Sequence, residues 1–129
     1  MANTFLRKTS KSVGIAANDA GWWQVGANSA GATQTGRYEV GVNTTTTVIG
    51  FSITNVTSSS VDVDVAIGTT MADVASDVAL ASSVPIPSGS TLVLFGGDQK
   101  LNMVTGDLIK VKSSANNSVD VVMSVLEIT

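Results

Sequence analysis

The chain offers few residues that could do chemistry, and each can be weighed by type and spacing. The segment Gly96-Gly97-Asp98-Gln99-Lys100 follows the apolar run Leu92 to Phe95. Glycines after a strand can cradle a phosphate. A P-loop needs G-x-x-x-x-G-K-[ST] opening a helix, so that amides and helix dipole face the anion. The spacing here is different and another strand-like run follows, so the segment reads as a connection. The dinucleotide fingerprint fails for the same reason. Asp62 and Asp64 form a D-x-D pair on one strand face, roughly 7 Å apart by strand geometry. Such a pair could contribute to a cation site or work as acid and base on a glycoside. An outward, solvated strand face explains it more simply. No third acid is adjacent, although "DVASD" lies in the following segment.

The absences are as informative. The chain has no cysteine and no histidine. That removes disulfides, thiolate chemistry, the commonest metal ligand and the commonest general base near neutral pH. A Ser-His-Asp arrangement is impossible. The sequence therefore argues against an enzyme, and no cofactor or metal is expected.

Charge is unevenly distributed. Of seven basic residues, Arg7, Lys8 and Lys11 fall in the first eleven positions, with no acid among them. The rest of the chain holds four basic and ten acidic residues. A basic arm on an acidic body is the simplest description. An acidic body is a poor partner for nucleic acid, whose affinity comes from neutralised phosphates. Lys110 and Lys112 share a face opposite Ile109 and Val111, without the interleaved aromatics of a nucleic-acid platform. They read as a solvated strand face. Phe5 and Leu6 are apolar anchors should the arm dock. Trp22 and Trp23 stand together; in a strand one indole would face inward and the other outward. Either both cover one end of the core, or an exposed one anchors a partner. The candidate partner-binding residues are thus Phe5, Leu6, Arg7, Lys8, Lys11, Trp22 and Trp23.

The elements that must carry these residues are strands. With 129 residues the chain suits one domain. It is rich in Val, Thr, Ser, Ala and Gly, and good helix formers are sparse. No stretch approaches the roughly 20 apolar residues that span a bilayer. The basic N-terminus lacks the apolar run of a secretory signal. Residues 1–20 show neither period 2 nor period 3.6 and read as an extended basic arm. Residues 26–36 read as loop. Tyr38, Val40 and Val42 alternate with polar or small residues. Ile49, Phe51 and Ile53 share one expected face, and Val61, Val63, Val65 and Ile67 another. "NVTSSS" between the last two runs predicts a hairpin. Residues 68–80 fit a short helix or, preferably, a loop leading to a strand near 77–84. Pro85 and Pro87 belong at a sheet edge or in a crossing loop. Runs at 92–95, 100–104, 108–112 and 119–128 complete the set. A phase slip at Val125–Leu126 predicts a bulge there. About eight short strands without a βαβ pattern predict an all-β, antiparallel two-sheet sandwich over residues 21–129. Jelly-roll and immunoglobulin-like arrangements both fit.

The order of the punctuation marks adds a resemblance. P-x-P-x-G-S at Pro85–Ser90, G-G-x-Q-K at Gly96–Lys100 and T-G-D-x-I-K-V-x-S at Thr105–Ser113 are followed by S-V-D at Ser118–Asp120 and V-L-E-I at Val125–Ile128. This series, with the start "MANTFLRKTSKSVG", resembles small virion structural proteins of tailed phages, particularly those infecting marine bacteria and cyanobacteria. The resemblance covers about residues 1–16 and 44–129. "AGWWQVGANSAGATQTG" and "TTMADVASD" depart from it. The resemblance implies a non-enzymatic β-sandwich present in many copies in the virion. Head decoration (cement) is its preferred place, bound through the arm, with a neck or tail component as the alternative. The implied partners are other virion proteins, major capsid or tail, and further copies of the chain. A host-surface, glycan-binding module is a separate alternative, with Trp22 or Trp23 as the stacking platform.

Overall fold

A computed structural model of the chain describes residues 3–14, 21–26, 37–70, 75–96 and 100–129. Nine strands form among the described residues: β1 (Asn3–Val13), β2 (Trp23–Gln24), β3 (Thr45–Asn55), β4 (Val61–Gly68), β5 (Val78–Ile86), β6 (Thr91–Phe95), β7 (Leu101–Met103), β8 (Leu108–Ser113) and β9 (Val119–Ile128). They build two antiparallel sheets packed as a β-sandwich. The first runs β1-β9-β3-β6, with β7 also on β3; the second runs β2-β8-β4-β5. No α-helix forms among the described residues. The core between the layers is made by alternate side chains of each strand, including Val63, Val65, Val111, Phe51, Ile53, Val121 and Met123. Burying such branched and aromatic side chains is the main stabilising term, roughly 1.5–3 kcal/mol for each one fully removed from water.

Several local expectations change in three dimensions. Residues 3–13 are extended, as a basic arm would be, but they are not separate from the body. β1 pairs with β9 in unbroken register from Asn3 opposite Ile128 to Ser10 opposite Val121. Main-chain pairing requires no side-chain alternation, which is why period 2 is missing from this strand. The expected hairpin between 45–55 and 61–68 is also absent. β3 lies in the first sheet and β4 in the second, so the chain crosses between layers at residues 56–60. Asn55, fully buried, makes that corner. Its Nδ2 donates to the Ser59 and Ile86 carbonyls, and its Oδ1 accepts from the Thr57 N–H and Oγ1. Residues 37–44, expected as a strand, form no ladder. The Tyr38 N–H donates to the Val25 carbonyl, and Val40 donates to the Asp107 carbonyl and accepts from the Gly106 N–H.

The bulge lies on a different strand from the one expected. β3 carries an extra residue at Ile49, between Val48 opposite Val125 and Gly50 opposite Ser124. β9 keeps its phase against β1 through Val125, Leu126 and Glu127. Glu127 therefore continues the inward series, and Leu126 and Ile128 face outward. Ile49 is displaced from the core row of Val48, Phe51 and Ile53, because a bulge changes the side chain's face. Gly96–Lys100 connects β6 to β7. β6 and β7 both pair antiparallel to β3, against Phe51–Thr54 and Thr46–Val48 respectively. β6 and β7 thus lie in line on one edge of β3; Gly97, Asp98 and Gln99 lie outside the described residues. The T-G-D motif is turn chemistry. Gly106 has φ 92°, the Val104 N–H donates to Asp107 Oδ2, and the Asp107 N–H donates to the Val104 carbonyl.

Candidate functional site

The outer face of the first sheet collects apolar side chains. Cross-strand register places Phe5 beside Leu126, Arg7 beside Ser124, and Val122 beside Ser52, which in turn faces Val93. Phe5 is 72% exposed, and Val93 and Val122 are also exposed. Phe5, Leu6, Arg7, Ile49, Ser124 and Val125 line a groove of about 320 Å³. Ile49 reaches it because of the bulge, and Leu126 stands opposite Phe5 because β9 does not slip. Sequence alternation groups Ile49 with Phe51 and Ile53 instead.

The basic residues of β1 divide by strand alternation. Arg7 and Lys11 are exposed, whereas Lys8 is half-buried, with its ammonium 5.7 Å from the centre of the Tyr38 ring. Leu6 packs against the core as a partly buried member. Phe5, Arg7 and the groove are thus brought together. Lys8 serves the body instead, and Leu6 belongs to both.

Tyr38 is the second feature that the sequence did not signal. Its hydroxyl donates to Glu127 Oε2 at 2.7 Å and accepts from Thr46 Oγ1 at 2.7 Å. Burial pushes its pKa up from 10.0 to about 12, and the Glu127 carboxylate adds to the rise while the Thr46 bond opposes it. This network joins β3 and β9 to the segment before β3.

The outer face of the second sheet is built differently. Lys110, expected on a solvated face, is fully buried and paired with Asp77 at 2.7 Å. Asp77, just before β5, reaches Lys110 of β8. Gly68 makes room, since a Cβ there would collide with the Asp77 carboxylate. Trp23 is buried in the core, with no hydrogen-bond partner for its indole N–H among the described residues. Trp22 is half-buried on the outer side, and the Lys112 ammonium stands 4.6 Å from its ring centre. The two indoles therefore point to opposite faces. Trp22, Asp64, Ser82 and Lys112 help to line a cleft of about 260 Å³. The cation over Trp22 occupies the face that a sugar ring would need for stacking.

The acidic pair is structural at one position. Asp64 Oδ1 accepts the Ser83 N–H at 2.7 Å and secures the irregular β4–β5 pairing. Asp62 is exposed, and its main chain is tied to Ser114. Asp77, the other acid near enough in sequence to assist, is engaged by Lys110. No group of three potential metal-ligating side chains occurs among the described residues. No protein-family model and no curated protein matches the chain.

Proposed function

We propose that the chain is a non-enzymatic structural protein of a tailed-phage virion, attached to the head as a decoration protein. It docks through β1 and the adjoining outer face of the first sheet. The virion assignment rests on the motif series from Pro85 to Ile128 and the matching N-terminus. The docking role rests on one observation: Phe5, 72% exposed, stands with Arg7 beside Ile49 at an outward groove of the first sheet. Exposed apolar groups gathered on one face, with a charged rim, are characteristic of surfaces that meet another protein. Repetition over a lattice lets weak individual contacts hold each copy.

A cryo-EM map of purified particles tests this directly. Density for the chain across the capsid lattice is expected, with β1 and Phe5 at the contact. A single ring at the portal or tail would move the protein to the neck or tail. Particles without the chain would remove the virion reading altogether. Phe5→Glu combined with Arg7→Glu should leave the fold intact and abolish incorporation.

A further inference from the structure

The edges of the two sheets differ in how they are protected. β5 is broken by two register shifts against β4, contains Pro85, and has Ser83 at φ 49°. β2 has two residues, and the β6–β7 edge is split into pieces of five and three. All are poor templates for another strand, as natural edges generally are. β1 is the exception. It has eleven residues, no proline, and unbroken pairing from Asn3 to Ser10 on its β9 side. No strand pairs with its other side among the described residues.

The protection that remains is charge, and all of it has one sign. Arg7, Lys8 and Lys11 lie on this strand without an acid. Side-by-side pairing of two β1 strands would bring like charges together, which is destabilising. An incoming strand with acids meets the opposite situation. We infer that β1 is an acceptor for strand addition by an extended acidic segment of a partner protein. The segment carries a carboxylate opposite Arg7 and, two residues away on the same face, an apolar side chain beside Phe5. The two-residue spacing follows from strand alternation. The apolar side chain extends the surface of Phe5, Leu126 and Ile49. Main-chain bonds supply affinity, and the charge and apolar positions supply selectivity. The inference rests on the proposed docking role of β1 and names the chemistry of its partner.

The test uses the full chain and a fluorescent peptide of about eight residues, a common strand length. The peptide alternates valine and threonine, with an aspartate and a leucine two residues apart on one face. Anisotropy should report binding that weakens about tenfold when the aspartate becomes lysine. N-methylation along one edge of the peptide should abolish binding, and along the other edge should spare it. Arg7→Glu, checked for an unchanged melting curve, should reverse the preference between the aspartate and lysine peptides. Absence of binding, equal binding of both peptides, or indifference to methylation on both edges would overturn the inference. A chain already dimeric through β1, excluding the peptide, would assign the edge to a second copy and overturn it too. Purified protein is used throughout, so a particle lacking the chain would remove the virion reading and leave the peptide result standing.

Discussion

On the outer face of the second sheet a lysine is completely buried; on the outer face of the first a phenylalanine is 72% exposed. Each is the reverse of its residue type's usual placement. Over β8 the second sheet is covered by the chain itself. The segment before β5 lays Asp77 over Lys110, and Trp22 lies against Lys112. The first sheet has no such cover among the described residues, and Phe5, Val93 and Val122 remain open. A buried charge therefore marks a face that the fold has already closed. An exposed apolar cluster marks one that a partner can still close.

Substitutions can break this contrast from either side. The largest effect is expected on the closed face. Asp77→Ala leaves the Lys110 charge buried without its carboxylate and should cost about 3 kcal/mol, read by urea denaturation. Replacing both residues together, with Lys110→Met and Asp77→Leu, should recover most of that loss. A double variant as unstable as Asp77→Ala alone would mean that the ion pair is not what closes this face.

A smaller effect is expected at the join between the layers. Tyr38→Phe removes a buried hydroxyl with two partners and should cost about 1 kcal/mol at neutral pH. Tyr38 is the single tyrosine, so its ultraviolet titration can be read directly. In the folded protein the midpoint should lie near 12, and in the denatured chain near 10. The unfolded chain then loses its phenolic proton first. Stability from this group is whole below pH 10 and disappears as pH rises through about 12. Thermal melts over that window should fall more steeply for the parent than for Tyr38→Phe. Parallel slopes would show that the phenol is not the responsible group.

The smallest effect on stability belongs to the open face. Phe5→Ser should change unfolding by no more than about 0.5 kcal/mol, because the ring is mostly in water in the isolated chain. It should nevertheless reduce retention on a hydrophobic-interaction column and weaken particle incorporation. A loss comparable to that of a core substitution would place Phe5 in the fold instead of at the contact.

Much of the sandwich was legible along the chain. The alternation of Val61, Val63 and Val65 reports burial on one side, and it reappears as the inner row of β4. The turn at Thr105–Asp107 was equally local, since glycine supplies its positive φ. Other features left no local trace. Ile49 reads as a core residue until the bulge on β3 turns it out, and Leu126 reads as a phase slip until β9 is seen running straight. Lys110 alternates like any solvated lysine, because nothing adjacent in sequence announces the Asp77 segment above it. The basic run before residue 12 suggested a partner, but its place as a sheet edge depends on β9, more than a hundred residues away.

By itself the sequence determined the class of fold and the poverty of conventional catalytic groups. Composition and period-two burial are local properties, and the absence of cysteine and histidine is independent of folding. Tertiary structure decided which faces are closed and which are open. That outcome depends on register, bulges and long-range cover, all of which arise between segments distant in the chain. The same alternation that marks a strand cannot say what will lie on its outer side.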